Sequence, residues 1–337
     1  MFGHHMVLVD RCYELLRLIK GGMVALSSSE GLLPRRSLPA DMPLPRKSKS
    51  RLRNRRPPLL IHYHVFKNAG TSFKKSLIDA LGETALASYD SPFPEGFISR
   101  RNLARFAARH PDVKVIATHQ AAPPPPRIHG REVLSSILIR DPIARIRSMY
   151  AFERRQEATS KGAQKAKQLS FKEYVMWRLE DSPAVLCNYQ VFFCSRNPRK
   201  EVLIAGPEQL DQAIANLDTI TIVGTVARFN EWLGLGQKVL SKGFPSISLK
   251  VLRRNATEPA DASQGAIFEH LVADLGEALA GFLLEHNQLD MRLHQIADAL
   301  LTHRTAEHGL PSELLQAYDS VRQARPSSHG QTLEIAP

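Results

Sequence analysis

Cysteine is scarce: Cys12, Cys187 and Cys194 are the only three in 337 residues. Three cysteines support neither a disulfide framework nor a thiolate metal cluster. A reducing cytoplasm is therefore the default expectation, with a Cys187–Cys194 bond left to the geometry of the fold. Long apolar runs are also lacking. In Met6–Ile19, Leu8, Cys12, Leu15 and Ile19 have helical spacing, but Asp10, Arg11, Glu14 and Arg17 interrupt every membrane-spanning register. No clean apolar stretch followed by a small-residue cleavage site marks a signal peptide. The segment reads as an amphipathic helix, with peripheral contact to a membrane surface as the alternative. Acidic residues are outnumbered 33 to 45, a formal net charge of +12. That excess points to an anionic cofactor, acceptor, membrane surface or nucleic acid without choosing among them. Internal repeats and long low-complexity tracts are absent.

Much of the positive charge lies in Arg46–Arg56, after the proline-rich stretch Leu33–Pro45. A like-charge run without apolar periodicity reads as a solvated tether in preference to a nucleic-acid arm. The expected organisation is a basic, largely disordered extension over 1–57, one α/β domain over 58–305, and a C-terminal helix and mobile tail over 306–337. In the last part, Pro311–Val321 has amphipathic spacing.

The domain's first stretch is the most informative. Leu59–Val65 is short, apolar and β-prone, while Phe73, Leu77 and Leu81 recur like one helix face. The spacing predicts strand, tight loop and helix, the helix running from Ser72 to about Leu81. A loop closing over a helix start leaves N–H groups without carbonyl partners, and the helix dipole adds positive charge there. Such a place binds anions. Lys67 supplies a full charge, Asn68, Ala69 and Gly70 form the loop, and Thr71 and Ser72 add hydroxyls. Gly70 is expected to let the backbone approach the ligand closely.

A second stretch repeats the logic. Ile137–Ile139 reads as a buried strand, Asp141 as a helix N-cap and Pro142 as the first helical residue. Arg140 at the turn and Ser148, two helical turns beyond Asp141, are candidate donors to one phosphate, with Arg145 and Arg147 available nearby. Standing alone, Arg140–Pro142 is an ordinary capped helix start with a surface ion pair. Between the two stretches, Ser99 is expected to cap a helix to about Arg109. Val113–Ala117 reads as a strand that puts Thr118, His119 and Gln120 at its end, where open α/β sheets bind ligands.

The nucleotide-binding pattern GxxxxGK[ST] is missing, because here the lysine precedes the glycine. Lys-x-x-Gly-Thr-Ser after a buried strand instead resembles the 5′-phosphosulfate loop of sulfotransferases, with Phe66 where that family usually has proline. Arg-Asp-Pro-x-x-Arg-x-x-Ser-x-Tyr resembles the same family's 3′-phosphate motif. Asn188–Cys194 is similar to a segment of the uronyl 2-O-sulfotransferase branch, whose second nearby cysteine is absent. Ile222–Phe229, Leu252–Thr257 and Asn287–Leu293 resemble the family's late strand, basic loop and terminal helix.

The resemblance spans roughly residues 58–300. It implies a P-loop-like sulfotransferase fold with a parallel sheet flanked by helices. It also implies 3′-phosphoadenosine 5′-phosphosulfate (PAPS) as sulfuryl donor, no metal, and a hydroxyl acceptor of carbohydrate type. Under that resemblance Lys67 neutralises the leaving phosphate, and residues 68–72 cradle the 5′-phosphate. Arg140 and Ser148 bind the 3′-phosphate, and Arg254 lies near the cofactor. His119 is the candidate general base, and a structural strand-end histidine is the plainer reading. His62 and His64 share a strand face and read as core histidines. The basic cluster Arg154, Arg155, Lys161, Lys165, Lys167 and Lys172 is a solvated surface or an acceptor rim. A nucleotide kinase and a basic nucleic-acid-binding protein are the rivals, and nucleic acid is not the expected partner. The expected location is the cytoplasm, with membrane-peripheral attachment as the variant.

Overall fold

The computed structural model describes residues 56–93, 96–196, 205–249 and 264–310. Expectations for the N-terminal extension, Cys12, the basic loop carrying Arg254 and the Pro311–Val321 helix lie outside the described residues.

Among the described residues five strands form one parallel sheet: β1 (Leu59–Tyr63), β2 (Leu86–Ser88), β3 (Val115–Thr118), β4 (Val133–Ile139) and β5 (Ile222–Thr225), in the order β2-β3-β1-β4-β5. This is an α/β fold, as expected. β1, β3 and β5 are buried along their whole lengths and β4 from Leu134 onward, as a sheet covered on both faces demands. The chain passes from β1 toward β2 and β3 on one side, and from β4 toward β5 on the other. Between β1 and β4 the direction of winding reverses, which opens a crevice at the carboxyl ends of these two neighbouring strands.

Helices α1 (Gly70–Leu81) and α2 (Arg100–Arg109) follow β1 and β2. Ser99 caps α2 as expected, its Oγ accepting from the Asn102 N–H at 3.2 Å. After β4 come α3 (Pro142–Arg155), α4 (Lys161–Gln168), α5 (Phe171–Asp181), α6 (Tyr189–Ser195) and α7 (Pro207–Asp218). α8 (Phe229–Leu240), α9 (Gln264–Leu275), α10 (Glu277–Glu285) and α11 (Gln288–Glu307) follow β5.

The alternation of β1 separates two cores. Leu60, Phe73, Leu77, Leu138, Ile222 and Trp232 pack beneath α1 and α8. Leu59, Ile61, Tyr63, Val191, Phe193, Leu217 and Leu293 pack on the opposite face beneath α6, α7 and α11. Full burial of side chains such as Phe73 and Leu77 contributes about 1.5–3 kcal/mol each, so α1 is anchored by its apolar face although its N-cap, Ala69, supplies no side-chain cap.

Some local expectations shift. α1 starts at Gly70, two residues before the predicted Ser72, and Leu86–Ser88 forms a short strand that the sequence reading did not include. Neither Cys187 nor Cys194 forms a disulfide; both thiols are buried, one just before α6 and one near its end. Within the basic cluster, Arg154 donates to the Tyr150 hydroxyl and Lys161 pairs with Asp181. No helix of the described residues is long and apolar enough to cross a membrane.

Candidate functional site

The β1–α1 loop is tightly wound. Lys67 and Ala69 sit at φ 68° and 59°, the left-handed region, at a cost of about 1–2 kcal/mol for each non-glycine residue. Ser72 and Phe73 both donate to the Ala69 carbonyl, so the first N–H groups of α1, those of Gly70 and Thr71, point off the helix end. That end carries the positive pole of a twelve-residue helix with no acidic residue in its first turn.

Gly70 also meets a packing demand that the sequence did not show. Its backbone is helical, and a Cβ there would lie 2.0 Å from His64 Cδ2. The missing side chain makes room for an imidazole. His64 in turn packs against His119 with ring centroids 4.0 Å apart and planes inclined at 31°, and lies 5.5 Å from the ring of His62. The three histidines therefore run from the core to the surface. His62 is a core histidine, as expected: it is buried, its Nδ1 lies 3.0 Å from Ser136 Oγ, and Phe73 meets its ring edge-on. Burial, reinforced by His119, depresses its pKa to about 3. Burial holds His64 at about 2, helped by His62, His119, Lys74 and Lys67. Both stay neutral at ordinary pH. His119 is the exposed member. Its backbone N–H donates to Asp90 Oδ1 at 2.7 Å, and the same oxygen accepts from Thr118 Oγ1 and the Gln120 N–H. Asp90 thus secures the end of β3 and the histidine it carries.

Lys67 reaches toward α3. Its Nζ lies 3.9 Å from the centroid of the Phe152 ring, and Phe66 meets that ring edge-on at 5.9 Å. Phe66, where the resembled motif has proline, thus helps dock the loop on α3. Desolvation is the largest cause of a Lys67 pKa lowered to about 8, with repulsion from Arg140 and Arg155 adding to it. A desolvated lysine crowded by two further cations marks a place where an anion is favoured.

The second motif arrives at the same place. Asp141 caps α3, Oδ1 accepting from the Ala144 N–H at 2.8 Å, with Pro142 as the first helical residue. Arg140 Nη1 donates to the Lys67 carbonyl at 3.1 Å, so the two predicted loops touch. On α3, Ser148, Phe152 and Arg155 follow at helical spacing on one stripe, the stripe that faces Lys67. Arg145, Met149 and Glu153 form another, buried stripe. Arg145 is consequently a correction to the sequence reading: it is fully buried over the Tyr189 ring at 4.4 Å, donates to the Val185 carbonyl and faces Asp290. Arg147 pairs with Asp274.

Asn68 is buried as well. Its Nδ2 donates to the Leu138 carbonyl at 2.8 Å and to Gln190 Oε1 at 2.7 Å, which pins the loop to β4 and α6. Its contribution is to hold the loop's shape. Ala69, Gly70, Thr71 and Ser72 supply the helix end itself. Sequence reasoning missed Phe152, Asp90 and the role of Gln190. Phe152 had a signal in its helical spacing to Ser148; the other two are joined to the site by contacts remote in sequence.

No protein-family model matches the chain. A protein of Archaeoglobus fulgidus, described as uncharacterized, is 24% identical over 244 residues, covering 70% of this chain and 94% of its own length.

Proposed function

We propose that this protein is a PAPS-dependent sulfotransferase acting on a hydroxyl acceptor, with carbohydrate the favoured class. The observation that carries the reading is the Arg140–Lys67 contact. It brings two loops, each built to meet an anion, side by side in the crevice between β1 and β4. The residues fit a donor with a phosphate at each end: an open helix terminus, a partly desolvated lysine beside two further cations, and an arginine at the adjoining turn. No divalent cation enters this scheme.

Lys67 and the N–H groups of Gly70 and Thr71 would hold the 5′-phosphosulfate, with Thr71 and Ser72 at the rim. Arg140 and Ser148 would take the 3′-phosphate. The donor supplies an activated sulfuryl group. The acceptor oxygen forms a bond to sulfur as the sulfur–oxygen bond to the 5′-phosphate breaks, and the electron pair leaves on the phosphate oxygen. Lys67 neutralises that developing charge. The acceptor proton passes to His119, the exposed ring of a cluster whose inner members remain neutral. A cytoplasmic location belongs to the same proposal.

The test is an acceptor screen with labelled PAPS in the absence of magnesium, read by mass shift of the acceptor and by release of adenosine 3′,5′-bisphosphate. Sulfated product supports the reading. Magnesium-dependent phosphoryl transfer from a nucleoside triphosphate, with no sulfated product, replaces it with a kinase.

A further inference from the structure

The mechanism above leaves Asn188–Tyr189–Gln190 without a task, although Gln190 is fully buried and fully engaged. Its Oε1 accepts from Asn68 Nδ2 at 2.7 Å and from the Arg140 N–H at 2.8 Å. Its Nε2 donates to the Arg140 carbonyl at 2.7 Å and to Asp290 Oδ2 at 3.3 Å. One amide thus grips the first anion loop through Asn68 and both backbone groups of Arg140 in the second. Asp290 completes the frame: Oδ2 accepts from the Gln190 N–H at 3.0 Å and Oδ1 from the Val191 N–H at 2.8 Å.

A buried amide with all these bonds has one favourable pose. Turning it exchanges donors for acceptors, and each mismatch strands a buried polar group. No apolar residue of the same size can replace it, because the Asn68 amide and both Arg140 backbone groups would lose a partner.

We infer that Gln190 is a positioning residue that sets the separation of the two anion loops, so that a ligand anionic at both ends engages them together. This rests on the proposed reading of the Lys67 and Arg140 loops as two ends of one cofactor site. Once one end of such a ligand is bound, the other end meets its subsite intramolecularly, and a fixed spacing retains that advantage. A loose spacing loses it without closing either subsite.

The experiment compares dissociation constants of adenosine 3′,5′-bisphosphate and adenosine 5′-phosphate on the full chain by calorimetry. Wild-type protein is expected to prefer the bisphosphate. Gln190→Met, similar in volume and without the hydrogen bonds, is expected to reduce that preference roughly 10–100-fold while the monophosphate still binds. Asn68→Ala cuts only the first loop's arm and leaves the other Gln190 bonds, so it provides the same readout if the methionine variant does not fold. A purely structural glutamine would lower the melting temperature and leave the preference intact; a folded variant of either kind with the wild-type preference overturns the inference. If the wild type shows no preference for the bisphosphate, the two-loop reading falls first and the inference with it, so the two failures are told apart.

Discussion

His64 packs against His119 with 4.0 Å between ring centroids, and the absent side chain of Gly70 gives His64 the space to do so. The strand-end histidine is thereby backed by a half-buried, neutral ring 55 positions earlier in the chain. Burial depresses the pKa of His64 to about 2, so its ring stays neutral.

His119→Ala is accordingly expected to lower the catalytic rate by roughly 10²–10⁴-fold while leaving donor affinity nearly unchanged. Retention of the wild-type rate in steady-state kinetics would assign the base elsewhere.

Gly70→Ala places a methyl group where the His64 ring stands. The ring must leave His119 or α1 must shift, and such overpacking costs about 1–3 kcal/mol. Chemical denaturation of Gly70→Ala, His64→Ala and the double variant checks this: the alanine at 70 should cost much less when His64 is already removed. Additive losses would mean that the glycine serves a different purpose.

For Lys67, with its pKa lowered to about 8, the sign follows from charge. A bound phosphate favours the ammonium form and raises that pKa, so binding above about pH 8 takes up a proton. Affinity for adenosine 3′,5′-bisphosphate should hold below pH 8 and decline as the pH rises through it. Calorimetry in buffers of different ionisation enthalpy reads the uptake directly, and Lys67→Met should abolish it. The same variant should lose turnover by orders of magnitude with little change in melting temperature.

Arg140→Ala and Ser148→Ala are expected to weaken binding of adenosine 3′,5′-bisphosphate more than that of adenosine 5′-phosphate. The arginine should matter more, since charge-assisted hydrogen bonds contribute about 1.5–3 kcal/mol. Arg140 also secures the Lys67 carbonyl, so its variant should show some loss for the monophosphate as well. Equal losses for both nucleotides would make Arg140 a support for the first loop alone.

Asp290 is fully buried and accepts from the Gln190 and Val191 N–H groups at the start of α6. Asp290→Ala leaves those buried N–H groups without their acceptor and is expected to destabilise the fold by about 1–3 kcal/mol in urea denaturation. A loss below about 0.5 kcal/mol would show that another acceptor replaces the carboxylate.

What the sequence determined by itself is local. The Leu59–Tyr63 strand, the Ile137–Ile139 core of β4, the Ser99 and Asp141 caps and the helix after Gly70 follow from apolar spacing and from side chains that bond a backbone N–H three residues away. The β1–α1 and β4–α3 loops were legible for the same reason, since each is a strand end joined to a helix start. Only the tertiary structure decided which arginines face them. Arg145 and Arg155 are alike in sequence, but the helix turns one toward Asp290 and the other toward Lys67. It also decided that Gln190, 122 positions after Asn68 and 50 after Arg140, would join their loops. Such contacts depend on strand order and on which helix covers which face. Those are properties of the packed chain as a whole, and no short window of residues encodes them.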